Sequence, residues 1–138
     1  MIETEPRIDD VFNIATHNGI VTVENTNKGT YRTFRIRTQK EDAKFAPGER
    51  ILSLLTGPDN TTNYTQIAFV KDDGSIRLWG RFQQYERLIK VLLEPDYYKT
   101  IGCVYHYEGH CRRCNRLLTT PESVRRGVGE VCFAAVGG

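Results

Sequence analysis

Two residues separate Cys111 from Cys114, and 17 separate Cys114 from Cys132. All four cysteines of the chain fall between positions 103 and 132. No other feature constrains the fold as strongly. Zinc prefers a tetrahedron of thiolates and imidazoles. A C-x2-C pair on one tight turn supplies two adjacent corners of that tetrahedron. A later cysteine, returned by a hairpin and a short helix, supplies a third. The spacing therefore predicts a structural zinc site with Cys111, Cys114 and Cys132 as ligands and no open position for a substrate.

The fourth ligand is open between His106, Cys103 and His110. His110 adjoins Cys111, and neighbouring residues rarely reach one metal. Cys103 reads equally well as a small core residue. His106, near the end of a strand, is the preferred ligand. Between Cys114 and Cys132, Thr119 or Thr120 can cap a helix with Pro121 in its first turn, and Gly127 ends it. Cys132 would then sit in the first turn of a second helix, where the helix dipole favours a thiolate. A redox C-x2-C calls for a thioredoxin-like setting, which Arg112-Arg113 in a hairpin does not provide.

Composition agrees with a metal rather than disulfides. The N-terminus, Met1 to Arg7, is polar and acidic, unlike a secretory signal, so the expected compartment is the cytoplasm. Disulfides rarely persist there. With 39% hydrophobic and 26% charged residues, the 138-residue chain reads as globular, and no apolar run is long enough for a membrane span. The net charge of +2 is too small for a dedicated duplex binder.

Hydrophobic periodicity supplies the rest. Val11, Phe12, Ile14 and Ala15 suggest a short helix capped by Asp9 or Asp10, ended by Asn18-Gly19. Alternation then predicts strands around Val21–Val23 and Tyr31–Thr38 as a hairpin. Ile51–Leu55, apolar on both faces, reads as a central strand. Tyr64–Val70 and Ser75–Trp79 form another hairpin. Tyr85, Leu88, Ile89 and Leu92 mark an amphipathic helix over 83–93. Pro95-Asp96 breaks the chain before a last strand, Ile101–Tyr107. The expected fold is α+β: a small antiparallel sheet with a packed helix over 1–100, and a treble-clef-like or zinc-ribbon-like finger over 101–138.

Two groups of arginines stand out. Arg35 and Arg37 share the strand face opposite Phe34 and Ile36, and Arg77 shares a face with Trp79. If these faces coincide, they form a basic and aromatic patch of the kind that binds single strands; a solvated face, with Trp79 under a helix, is the plainer reading. Arg112, Arg113, Arg116, Arg125 and Arg126 give the finger its own cluster. No catalytic motif is present. His106-Tyr107-Glu108 just before Cys111 imitates the H-x-E of zinc deaminases, but those enzymes carry their ligands on two separate helices.

The stretch Cys111-Arg112-Arg113-Cys114-Asn115-Arg116-Leu117-Leu118-Thr119-Thr120-Pro121-Glu122-Ser123, followed by Gly127-Val128-Gly129-Glu130-Val131-Cys132, resembles a C-terminal motif of an uncharacterised family found in bacteriophages and mobile elements. That motif runs C-x2-C-G-R-x-L-T-x-P-x-S, then G-x-G-P-x-C. Tyr31–Thr38 and Leu54–Asn60 are similar to the N-terminal part of some members. Asn115 replaces the family's Gly, but Asn tolerates the left-handed conformation a knuckle needs there. Glu130 replaces its Pro. The resemblance implies zinc binding, a phage setting, and a His upstream of the first Cys, which favours His106. The expected role is a non-enzymatic accessory protein that binds a host or phage protein, such as a component of a bacterial defence system. A nucleic-acid binder using the arginine clusters is the alternative.

Overall fold

A computed structural model describes residues 12–58, 63–111, 114–115 and 117–118. The predicted caps at Asp9 and Asp10, and the helices around Pro121 and Gly129, lie outside the described residues.

The fold is mostly sheet. Six strands, β1 (Asn18–Asn25), β2 (Thr30–Thr38), β3 (Arg50–Leu55), β4 (Tyr64–Val70), β5 (Ile76–Leu78) and β6 (Cys103–His110), form one antiparallel sheet. Its order is β5-β4-β3-β2-β1-β6. β6 thus returns from the far end of the chain to pair with β1 along eight positions, Asn18 opposite His110 through Asn25 opposite Cys103. The sheet therefore runs across the boundary expected at 100/101.

The register shows why the strands face as they do. Tyr107, Val21, Phe34 and Leu54 lie in one row across four strands. Ile36, Leu52, Ala68 and Leu78 lie in the next. Alternation puts both rows on the same face, and this face is the core. At Leu52/Ser53 the pairing with β4 slips by one residue, so Ile67 and Ala68 are both fully buried.

The core face is covered by the segment after β5, though not by one regular helix. A 3-10 helix (Gly80–Tyr85) is followed by a turn and by the single-turn α1 (Lys90–Leu93). Several of its backbone bonds run three residues apart, such as Glu86 to Gln83, Lys90 to Arg87 and Leu92 to Ile89. A segment this short has little helical stability of its own, so packing sets its shape. The predicted stripe still faces inward: Ile89 and Leu92 are buried, with Tyr85 and Leu88 against them. Pro95 does not break the chain but opens α2 (Pro95–Thr100) from its first turn, where its missing N–H costs nothing. Among the described residues no helix is long and apolar enough to cross a membrane.

The described end of the expected N-terminal helix is a single turn. Asn13 closes it: its carbonyl accepts from the N–H groups of Thr16 and His17, and its side chain accepts from Ala15. Asn18-Gly19, expected as punctuation, starts β1 instead. Gly19 has φ +147°, and a Cβ there would stand 2.1 Å from the Glu108 carbonyl oxygen. Close approach of β6 therefore demands glycine at this point.

Candidate metal knuckle and the adjoining sheet face

β6 leads directly into the cysteine turn. Cys111 is fully buried, and Cys114 is exposed. The Asn115 N–H donates to the Cys111 carbonyl at 2.8 Å. The chain then reverses: His110 bridges Leu117 in antiparallel fashion, and the Leu118 N–H donates to the Gly109 carbonyl at 2.9 Å. Cys111 and Cys114 thus lie between the two paired positions, His110 and Leu117.

Asn115 has φ +64°, the left-handed conformation expected where the family motif has Gly. Its side chain also does what Gly cannot. Oδ1 accepts from the Thr38 N–H at 3.1 Å, and Nδ2 donates to the Thr38 carbonyl at 2.9 Å. The amide continues the ladder of β2 as another strand would. Oδ1 also accepts from Asn18 Nδ2 at 3.2 Å. Asn18, fully buried, passes the connection inward: its Oδ1 accepts from Arg50 Nε at 3.0 Å, and its carbonyl accepts from the Tyr107 hydroxyl at 2.8 Å. The other Arg50 nitrogens donate to the carbonyls of Ile14, Ala15 and His17. One polar network therefore joins the segment before β1, four strands and the knuckle. Its members lie far apart in sequence, and no local pattern announces them.

His106 and Cys103 are not brought to the knuckle. His106 is exposed on the outer face, 3.4 Å from Glu24 Oε1. It stands four positions before His110 on an extended strand, about 13 Å at the rise of a β-strand. A zinc ligand sphere spans only a few ångströms, and the described strand sets His106 well back from the cysteine turn. Cys103 is buried in the core at the opposite end of β6, about 23 Å from His110 along the strand. The parity of Cys103, Tyr105 and Tyr107 carries that signal in the sequence. His110 is the histidine beside the turn. Its Nδ1 donates to the Asn115 carbonyl at 2.9 Å, and its Nε2 lies 2.9 Å from Glu108 Oε2.

Among the described residues no group of three or more His, Cys, Asp or Glu side chains converges. Cys132 lies outside them, as do Arg112, Arg113, Arg116, Arg125 and Arg126. Cys111 and Cys114 are followed by the left-handed Asn115 and by the bridge from Leu117 back to His110.

The outer face of the sheet adjoins this knuckle. Arg37, Ile51, Phe69 and Arg77 lie in one row across four strands, so the faces carrying Arg37 and Arg77 do coincide. Between these arginines Phe45, Phe69 and Trp79 form an aromatic cluster with centroids 5.4 to 6.2 Å apart. Trp79 thus packs chiefly against Phe69 and the exposed Phe45 of the β2–β3 connection, with Phe82 of the 3-10 helix at 6.4 Å. Arg35 lies in the neighbouring row, between Ile20 and Ser53. Its guanidinium stacks over the Tyr64 ring at 4.2 Å. Burial, and then repulsion from Arg37, holds Arg35 below its ordinary pKa. Burial raises that of Tyr64.

Two cavities flank this stack. One, of about 750 Å³, reaches from Tyr64 to Tyr31, Thr33 and Glu108. The other, of about 260 Å³, has Arg35 and Arg37 on one side and His110 and Asn115 of the knuckle on the other. Periodicity predicted this face for the arginines, but nothing local in the sequence placed Tyr64 or the knuckle beside them.

The sequence model of a family of unknown function (DUF6011) matches residues 106–137, which take in the second half of β6 and the whole cysteine segment. No curated protein and no solved structure matches the chain. The likeness is therefore to an uncharacterised family, over the cysteine segment and not over most of the sheet.

Proposed function

We propose that the protein is a non-enzymatic binding module whose C-terminal segment is stapled to the sheet by a structural zinc ion. Cys111, Cys114 and Cys132 would supply thiolates. The observation that carries this reading is Asn115: it exits the cysteine turn in the left-handed conformation and hydrogen-bonds to Thr38 and Asn18. A metal that closed the turn would hold this amide on the end of β2. The zinc supplies charge to organise thiolates and takes no part in a reaction. His110 braces the turn from the β6 side.

The partner expected from the resemblance is a protein of a bacterial host, met in the host cytoplasm by an accessory protein of phage or mobile-element origin. A second reading, nucleic acid, is favoured by one observation: the stacked Arg35 and Tyr64 lie between two cavities on the outer face.

The test is a pull-down from bacterial cells with the intact chain and with Cys111→Ser/Cys114→Ser, with metal content measured on the same samples. The module reading expects about one zinc per intact chain, little in the variant, and capture by the intact form alone. Equal capture by both forms, or an intact protein without zinc, contradicts it.

A further inference from the structure

The outer face carries more cationic charge than the chain's overall balance suggests. Its two carboxylates on β1 and β6, Glu24 and Glu108, lie beside His106 and His110 and away from Arg37, with Glu108 at the far side of the larger cavity. Among the described residues Arg35 and Arg37 form no ion pair, although Arg35 is partly desolvated and its Nε is buried without an acceptor. Two like charges held close together without a counter-charge are arranged for an anion.

The positions along β2 say which kind of anion. Tyr31, Thr33, Arg35 and Arg37 follow one another on the outer side, about 6.6 Å apart at the rise of a strand. Tyr31, at 70% exposure, leaves its ring free at one end, and Tyr64 stands beside Arg35. Aromatic rings along a cationic track suit unstacked bases and their phosphates. We infer that this trough binds single-stranded nucleic acid, with Arg35 and Arg37 on phosphates and Tyr31 and Tyr64 against bases. A duplex hides its base faces and calls for a broader basic footprint than a net charge of +2 provides. The smaller cavity ends at Asn115 and His110, so the knuckle forms its wall. The inference rests on the second partner reading above.

The experiment uses the full zinc-loaded chain and a fluorescent oligodeoxythymidine, with its oligouridine and duplex counterparts, read by anisotropy between about 50 and 200 mM salt. Wild type binds the single strands more tightly than the duplex. Its log–log salt slope includes roughly −0.7 for each phosphate contact. Arg37→Gln, at an exposed position, weakens binding about fivefold or more and flattens the slope by about 0.7. Tyr31→Leu weakens it about fivefold or more and leaves the slope unchanged. Arg77→Gln, three strands from Arg37, changes neither. Absence of binding at the lowest salt, preference for the duplex, indifference to both Arg37→Gln and Tyr31→Leu, or equal competition by polyglutamate, which points to an acidic protein partner, overturns the inference. Metal content on the same samples separates the readings: a zinc-loaded chain that fails to bind refutes the trough and leaves the stapled module standing.

Discussion

Replacing Asn115 separates two contributions that one residue makes to the knuckle. The backbone contribution is its tolerance of φ +64°, and the side-chain contribution is three hydrogen bonds, two to Thr38 and one to Asn18. A typical intramolecular hydrogen bond adds about 1 kcal/mol net, and the 3.1 and 3.2 Å contacts fall at the weak end, so the three together give about 2 kcal/mol. Asn115→Gly keeps the left-handed backbone and loses the amide, an expected cost of about 2 kcal/mol. Asn115→Ala loses the amide and adds strain of about 1 kcal/mol, for roughly 3 kcal/mol in all. Asn115→Asp keeps the shape but sets a carboxylate oxygen against the Thr38 carbonyl, so it too falls below wild type. Urea unfolding at fixed excess zinc measures these differences, because metal binding itself adds to stability. The predicted order is Asn, then Gly, then Ala, with an unchanged m-value. A glycine variant as stable as wild type would refute the reasoning, since it would leave the amide contacts with no net value.

Other predictions follow from the same geometry. Gly19→Ala forces a Cβ to within 2.1 Å of the Glu108 carbonyl, and should destabilise by about 3 kcal/mol through overpacking and backbone strain, read as a lowered urea midpoint. Tyr107 has its pKa raised by burial, so its neutral form is favoured in the folded state. Its contribution is complete below the unfolded value of about 10 and is lost as pH rises above it. Stability should therefore fall in alkali, and Tyr107→Phe should flatten that fall while removing the bond to the Asn18 carbonyl. His106→Ala and Cys103→Ala should each retain full zinc content, with only the core variant losing stability, by about 1 kcal/mol. Loss of zinc from either would restore that residue as a ligand.

Much of the sheet was legible because each strand has one face in the core. Phe34 and Ile36 alternate with Arg35 and Arg37, and the structure keeps that parity. The left-handed Asn115 was legible too, since the cysteine motif names the position. The covering segment was legible only by its face: Ile89 and Leu92 point inward, but packing rather than propensity shapes a run too short to sustain an α-helix. What stayed hidden depends on contacts distant in sequence. Gly19 reads as a turn until β6 lies beside it, 90 residues later. Arg50 and Asn18 read as ordinary polar residues until the network buries them. His106, which the motif sets near the turn, stands four positions before His110 on a strand that stays extended.

The central claim, a metal staple that holds the knuckle on the sheet, meets its most direct test in thermal unfolding at pH 7 of the zinc-loaded chain with and without a chelator. The staple predicts a clear fall in melting temperature on chelation, and no further fall when Cys111→Ser/Cys114→Ser is treated in the same way. Identical melting of the loaded and chelated wild-type protein would contradict it.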